Sequence, residues 1–160
     1  MTLDGLVFNE VAGQDGDYFE LTNIGDAPLQ MGRYRIIDGN GGGPKADGHV
    51  VLPEGYTLDP GAYLVVFANL DLSALPGERT ECGPGGPPTC FHAAWGVSWT
   101  NGDSLFVLSP DQDIALELTY PLMVVGAGES WGRMPDGTGE FAATARTPGA
   151  PNESPPAATP

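Results

Sequence analysis

Four carboxylates gather in a short stretch near the start of the chain: Glu10, Asp15, Asp17 and Glu20. Carboxylate and backbone carbonyl oxygens are the ligands that calcium prefers, and the turn at residues 13–16 adds carbonyls to the same stretch. One hairpin could therefore supply a calcium shell. The spacing does not match the twelve-residue helix–loop–helix calcium loop.

The competing explanation for these carboxylates is structural. Asp15 and Asp17 flank a glycine and suit a plain turn, while Glu10 and Glu20 would bind backbone amides or an arginine. A carboxylate buried beside a cation such as Arg133 would be satisfied without any ligand, and we prefer this explanation.

Two tryptophans lie in the most irregular part of the chain, the insertion at residues 70–100. Aromatic rings stack on the apolar faces of sugars, and loops often carry binding groups. Trp95 and Trp99 are therefore candidate anchors for a sugar or a protein partner. Core packing is the competing explanation; it is the stronger one for Trp131 and extends to Trp99.

Cys82 and Cys90 enclose seven residues, none of which is a large apolar residue. A disulfide closing this loop would contribute about 2–3 kcal/mol and would indicate an oxidising compartment. A zinc site needs two further soft ligands, and His49 and His92 are isolated in the sequence. We predict the Cys82–Cys90 disulfide, with free thiols as the alternative.

Catalytic motifs are absent from the sequence. It contains neither a Gly-x-Ser-x-Gly nucleophile elbow nor a His-Glu-x-x-His metal motif. A glycosidase-type acid pair needs only a suitable separation, but no pair of carboxylates stands out. We therefore expect a protein that is not an enzyme and has no cofactor, with calcium as the one candidate ion.

The charge balance excludes several partners. Twenty-one acidic and six basic residues give a net charge of −15, which repels nucleic acid and anionic lipid. No apolar stretch is long enough to predict a membrane span, and the chain shows no secretion signal. If the domain is exported, we expect this chain to be a mature or excised piece.

Short apolar runs separated by Gly- and Pro-rich turns predict an all-β fold with about seven to nine strands. Residues 6–11 and 18–24 form a first hairpin, and residues 104–108 and 114–120 form another. In the latter, Ile114, Leu116, Leu118 and Tyr120 are expected to point inward. Residues 63–68 are apolar throughout, which predicts a strand covered on both faces.

The domain organisation follows from composition. Residues 1–150 are expected to form one β-sandwich, which carries the insertion at residues 70–100. Residues 151–160 are rich in Pro, Ala, Ser and Thr, a composition typical of a linker or tail.

Eight short blocks recur in the order found in a known family: FNEV (8–11), GDYFELTN (16–23), MGRYRI (31–36), LP (52–53), TLDPG (57–61), NGDSL (101–105), SWGRMPDG (130–137) and TPGAPN (147–152). With these blocks the chain resembles the lamin tail domain, in the version found in exported bacterial and archaeal proteins. The resemblance implies an immunoglobulin-like antiparallel β-sandwich. No coiled-coil rod is present, so the filament role of the animal proteins does not carry over.

The resemblance also implies a function. The prokaryotic relatives look like accessory modules of secreted hydrolases and surface proteins, so we expect a non-catalytic adhesion, assembly or anchoring module at the cell surface or outside the cell. Its partner would be a protein, a surface glycan or a second copy of the chain. The alternative is a calcium-dependent or carbohydrate-binding accessory domain of an extracellular hydrolase.

Overall fold

The computed structural model describes residues 3–13, 16–39, 42–69, 90–122 and 125–157. All regular structure in these ranges is β. The strands are β1 (Leu6–Ala12), β2 (Tyr18–Asn23), β3 (Leu29–Gln30), β4 (Arg35–Asp38), β5 (Val50–Val51), β6 (Thr57–Leu58), β7 (Tyr63–Phe67), β8 (Phe91–His92), β9 (Asp103–Leu108), β10 (Ile114–Tyr120), β11 (Glu129–Met134) and β12 (Glu140–Ala145). Eight of these twelve have four or more residues, in line with the predicted seven to nine. None of the described residues belongs to a helix of the length and apolarity that a membrane span requires.

The strands form two main sheets that share one core. The larger sheet has the order β12-β11-β1-β2-β7-β8 and the smaller β10-β9-β4-β5, while β3 and β6 pair separately. Phe19 and Leu64 of the larger sheet belong to the same apolar cluster as Ile36 and Val107 of the smaller. The fold is therefore the predicted all-β sandwich. Its pairing is antiparallel except between β7 and β8, which run parallel.

The β7 strand is covered on both faces, as its unbroken apolar sequence predicts. Leu64 and Val66 point into the shared core. Val65 points to the opposite face, where it packs with Tyr18 and Cys90 in a smaller cluster. The two-residue strand β8 pairs with the end of β7, so β7 is second from the margin of its sheet.

The predicted hairpin of β9 and β10 is present, but one of its four inward assignments is wrong. Tyr120 is 2% exposed, whereas Ile114 is 52% exposed. The register shifts between Ile114 and Leu116, and this irregularity breaks the alternation on which the prediction depended. Glu117 and Thr119, between the inward positions, are exposed to solvent.

A bulge in β1 sets the geometry of the polar residues described below. Phe8 pairs with Leu21, but Glu10 pairs with Glu20, so Asn9 is an extra residue between them. Since Phe19 and Leu21 point into the core, Glu20 and its partner Glu10 point to the opposite side, which we call the outer face of the larger sheet.

The folded part of the chain extends beyond the boundary predicted at residue 150. Asn152 is only 7% exposed, and the backbone N–H of Ala145 donates to the carbonyl of Glu153 at 2.9 Å. Residues 147–152, which we call the C-terminal strap, lie against the outer face of the larger sheet through the contacts given below.

Candidate functional site

Glu10 is fully buried beneath the C-terminal strap. Its Oε1 accepts hydrogen bonds from the Tyr18 hydroxyl at 2.5 Å, from the Ser130 hydroxyl and from the backbone N–H of Thr147 at 3.1 Å. Burial raises the pKa of this carboxyl, while the bonds from Ser130, Tyr18 and Thr147 oppose the rise. Glu10 thus joins three strands and the strap.

Glu20 lies beside Glu10 and is also fully buried. Its oxygens accept from the Asn9 side-chain amide at 2.8 Å and from the backbone N–H of Gly149 at 2.6 Å. Burial raises the pKa of Glu20 to about 8, with a further contribution from the charges of Glu10 and Asp136. The bonds from Asn9 and Gly149 lower the pKa but do not offset the burial.

Asp136 completes this network from the loop after β11. Its Oδ1 accepts from the Asn9 amide at 3.0 Å and from the backbone N–H of Asn152 at 2.8 Å. Its Oδ2 accepts from the Tyr63 hydroxyl at 2.8 Å. The Asn152 side chain donates to the carbonyls of Asn9 and Arg133 at 3.0 and 3.1 Å.

Asp136 and Asn152 are residues that the sequence argument did not single out. Both lie in blocks that carried the family resemblance, at residues 130–137 and 147–152, as Asn9 does at residues 8–11. Their position in those blocks is the feature of the sequence that could have identified them. We call Asn9, Glu10, Glu20, Asp136 and Asn152 the buried polar network.

The expectation that Arg133 pairs with a buried glutamate is wrong. Its Nε donates to the carbonyl of Phe8 at 2.7 Å and its guanidinium also donates to the carbonyl of Gly139 at 2.8 Å. The guanidinium carbon lies 4.5 Å from the centre of the Phe141 ring. The part of the expectation that Glu10 and Glu20 bind backbone amides is confirmed, through Thr147 and Gly149.

The four predicted calcium ligands have different surroundings. Asp17 directly precedes β2. Its carboxylate accepts a hydrogen bond from the backbone N–H of Val97 at 3.0 Å, and this bond holds the loop before β9. Asp15 lies outside the described residues. Within the described ranges, no three His, Cys, Asp or Glu side chains are arranged to hold a metal. A calcium site that includes Asp15 stays a prediction.

The two candidate anchor tryptophans pack against the core. The Trp95 ring stacks on Phe19 with centroids 5.6 Å apart, and its N–H donates to the carbonyl of Gly48 at 2.9 Å. Trp99 is half-buried against the same core. Trp131 stacks on Phe141 with centroids 4.1 Å apart, in line with the packing role predicted for it.

The predicted disulfide involves Cys82, which lies outside the described residues. Cys90 is fully buried, and its Sγ is 3.8 Å from the Nε2 of His92. The Nε2 of His49 is 3.0 Å from the carbonyl of Lys45. The disulfide between Cys82 and Cys90 stays a prediction.

A cleft opens on the other side of the molecule, where Gly42 and Gly43 of the glycine-rich loop after β4 face β9–β10. It has a volume of about 630 Å³. Along β9, Leu105 and Val107 point into the core, so Ser104 points to the opposite side, the outer face of the smaller sheet. Its partner Thr119 shares that face, and the two hydroxyls are 2.9 Å apart.

These two regions differ in what they can do chemically. The buried polar network has no solvent-exposed member other than the partly exposed Asp136, and its hydrogen bonds hold the strap to the sheet. The cleft presents carboxylates and hydroxyls to solvent and is open to a ligand. No family model matches this sequence, and no curated protein is significantly similar to it.

Proposed function

We propose that the chain is a non-catalytic adhesion, assembly or anchoring module of a secreted or surface prokaryotic protein. The ordered blocks that resemble the lamin tail domain support this, and the β-sandwich fold is compatible with it. The immunoglobulin-like strand arrangement and the extracellular location are part of the same proposal. The buried glutamates serve the fold rather than a reaction.

The observation that carries the proposal is the open margin of β10. This seven-residue strand ends its sheet, and no strand of the described ranges pairs with its free side. Ile114 is the first residue of β10 and Leu122 lies two residues after its end, and each is 52% exposed. A margin strand flanked by exposed apolar residues can add a strand from another chain.

Charge sets the conditions for such pairing. Glu117 lies in the middle of β10 and is exposed, and the chain carries a net charge of −15. Two copies that approach each other through β10 would repel at low ionic strength. We therefore expect association between copies to strengthen as salt increases.

Light scattering after size exclusion tests this proposal over a range of protein and salt concentrations. The wild type should form dimers or larger assemblies at high salt, and Ile114→Glu should remain monomeric. Ile24→Glu is the matched control, because Ile24 is 47% exposed but lies away from β10. A wild type that stays monomeric throughout, or equal effects of the two variants, would contradict assembly through β10.

The proposed extracellular location includes the Cys82–Cys90 disulfide. Alkylation without prior reduction, followed by intact-mass measurement, tests for the disulfide directly. A free thiol gains one alkyl group, whereas two cysteines joined in a disulfide gain none. Alkylation of both cysteines in the unfolded, unreduced protein would remove this part of the proposal.

The second candidate function is a carbohydrate-binding accessory domain of an extracellular hydrolase. The observation that favours it is the open polar cleft beside β10. Trp95 and Trp99 support it less, because Trp95 is stacked on Phe19 and both rings pack on the core.

A further inference from the structure

The cleft forms because the glycine-rich loop packs closely on the sheet at Gly39 but not at Gly42 and Gly43. At its base, a Cβ on Gly39 would lie 3.1 Å from the Phe106 ring and 3.3 Å from the Asp103 carboxylate, so the backbone there packs closely. Further along, a Cβ on Gly42 or Gly43 would meet no atom within 4 Å. The loop at Gly42 and Gly43 therefore stands away from β9–β10.

Gly42 and Gly43 are glycines that the fold does not require. Neither has a positive φ, and neither is in close contact with a neighbour. Their lack of side chains leaves the peptide groups of the loop uncovered along one side of the cleft. Uncovered peptide groups supply hydrogen-bond donors and acceptors to a ligand.

The opposite side of the cleft is a row of carboxylates and hydroxyls. The Thr119 hydroxyl lies 2.9 Å from the Ser104 hydroxyl and 3.4 Å from the Oε1 of Glu117. The Oδ1 of Asp103 accepts from the backbone N–H of Ser104 at 2.8 Å. The second oxygen of each carboxylate has no hydrogen-bond partner among the described residues and can accept from a ligand.

This set of groups selects a class of ligand. Carboxylates accept strong hydrogen bonds from hydroxyl groups, and the Asn101 amide at the cleft can both donate and accept. Two negative charges in a chain of net charge −15 repel phosphate, sulfate and uronic acids. Phe106 and Tyr120 are each 2% exposed, so neither aromatic ring of the lining is open to a hydrophobic ligand.

We propose that the cleft between the glycine-rich loop and β9–β10 binds a neutral carbohydrate, with Asp103 and Glu117 accepting hydrogen bonds from sugar hydroxyls. The volume of about 630 Å³ lies within the range of small-molecule sites, about 300–1,000 Å³. This inference rests on the second candidate function proposed above, the carbohydrate-binding domain, and names its site and its ligand class.

Isothermal titration of the full chain with neutral trisaccharides tests the inference. The probes are trimers of β-1,4-glucose, α-1,4-glucose, β-1,4-mannose and β-1,4-N-acetylglucosamine, with a trimer of galacturonic acid as the anionic comparison. At least one neutral trimer should bind saturably, and the anionic trimer should not. Glu117→Gln should weaken that binding by about ten-fold or more, since it replaces a charged acceptor with a neutral amide.

Two further variants separate recognition from folding. Glu140→Gln is the matched control, because Glu140 is an exposed carboxylate on the other sheet, and it should bind as the wild type does. The double variant Gly42→Leu/Gly43→Leu introduces no strain at either position and should narrow the cleft and abolish binding. Circular dichroism of each variant confirms that the fold is intact.

Several results would overturn the inference: no saturable binding by any neutral trimer, equal binding by the anionic trimer, or equal affinities of Glu117→Gln and Glu140→Gln. Binding that disappears with a calcium chelator would overturn it as well, because recognition would then depend on a cation. Light scattering on the same samples keeps the two proposals apart. Assembly without sugar binding would refute this inference alone, and sugar binding by a permanent monomer would refute assembly alone.

Discussion

Glu20 is an acid that the fold stabilises in its protonated form. Its pKa is raised to about 8 from an ordinary value of 4.5, chiefly by burial. Between these two values the unfolded chain has lost the proton and the folded chain has kept it. The contribution of Glu20 to the free energy of unfolding is therefore largest below pH 4.5, falls as the pH rises, and levels off above pH 8.

We expect this effect to reach about 1.4 kcal/mol per pH unit between pH 5 and 8. Urea unfolding at half-unit steps of pH measures it. The slope of the unfolding free energy against pH reports the difference in bound protons between the folded and unfolded chains. Glu20→Gln should reduce this difference by about one proton. It should also destabilise the protein at pH 5 by about 1–3 kcal/mol, because an amide cannot accept from both Asn9 and Gly149. An unchanged slope in Glu20→Gln would show that another group causes the pH dependence, and Glu140→Gln serves as the exposed control.

Asn152 makes more of the network's bonds than any other residue of the strap. Its side chain donates to the carbonyls of Asn9 and Arg133 and accepts from the Thr147 hydroxyl at 3.3 Å. Asn152→Ala leaves these buried groups unsatisfied, so it should lower the free energy of unfolding by about 2–4 kcal/mol. Chemical denaturation against the exposed Asn101→Ala checks this. Equal stabilities of the two variants would contradict the structural role of Asn152.

At the scale of elements, the C-terminal strap behaves as part of the sandwich. Its backbone N–H groups at Thr147, Gly149 and Asn152 donate to Glu10, Glu20 and Asp136 respectively. Three carboxylates from two strands and a loop thus meet three amides from one segment. Without the strap, the three carboxylates would lose these hydrogen bonds and would be exposed to water.

Two truncations test the role of the strap. Removal of residues 147–160 should cost about 4 kcal/mol or more and lower the melting temperature by about 10 °C. Removal of residues 155–160 leaves every bond of the strap in place and should change the melting temperature by less than about 2 °C. Thermal melts that fall equally for both truncations, or for neither, would contradict the assignment.

The elements were predictable where the local pattern determines them. Asp59-Pro60-Gly61 and the apolar run after it predicted β7, and the turn at residues 109–113 predicted the β9–β10 hairpin. The bulge at Asn9 was not predictable, because neither turn residues nor alternation mark an extra residue inside a strand. The bulge is what brings Asn9 and Glu10 together at the outer face.

The buried polar network was only partly predictable for a related reason. Asn9 and Asp136 are 127 residues apart in the chain, and Asn9 and Asn152 are 143 apart. Local patterning does not report such distant pairs, so the partner of the glutamates was assigned to Arg133 on charge alone. The structure satisfies these glutamates with amides and hydroxyls, while Arg133 binds backbone carbonyls. The cleft was not predictable either, because no local pattern places Gly42 and Gly43 beside β9 and β10.

At the scale of the whole molecule, the net charge of −15 is the dominant electrostatic feature. Lys45 with Asp38 is the single ion pair among the described residues. Six basic residues cannot balance twenty-one acidic ones, so repulsion between carboxylates dominates. This repulsion is greatest in the compact state, so screening it should stabilise the fold.

Thermal melts in sodium chloride and in calcium chloride, matched for ionic strength, separate screening from a specific calcium site. We expect the melting temperature to rise equally in both salts, because Glu10 and Glu20 already accept hydrogen bonds from the protein. A specific site would instead add about 2.7 kcal/mol at a calcium concentration a hundred times its dissociation constant. An additional rise in calcium chloride that is lost in Asp17→Asn would contradict our expectation and restore the hairpin of β1 and β2 as a calcium site.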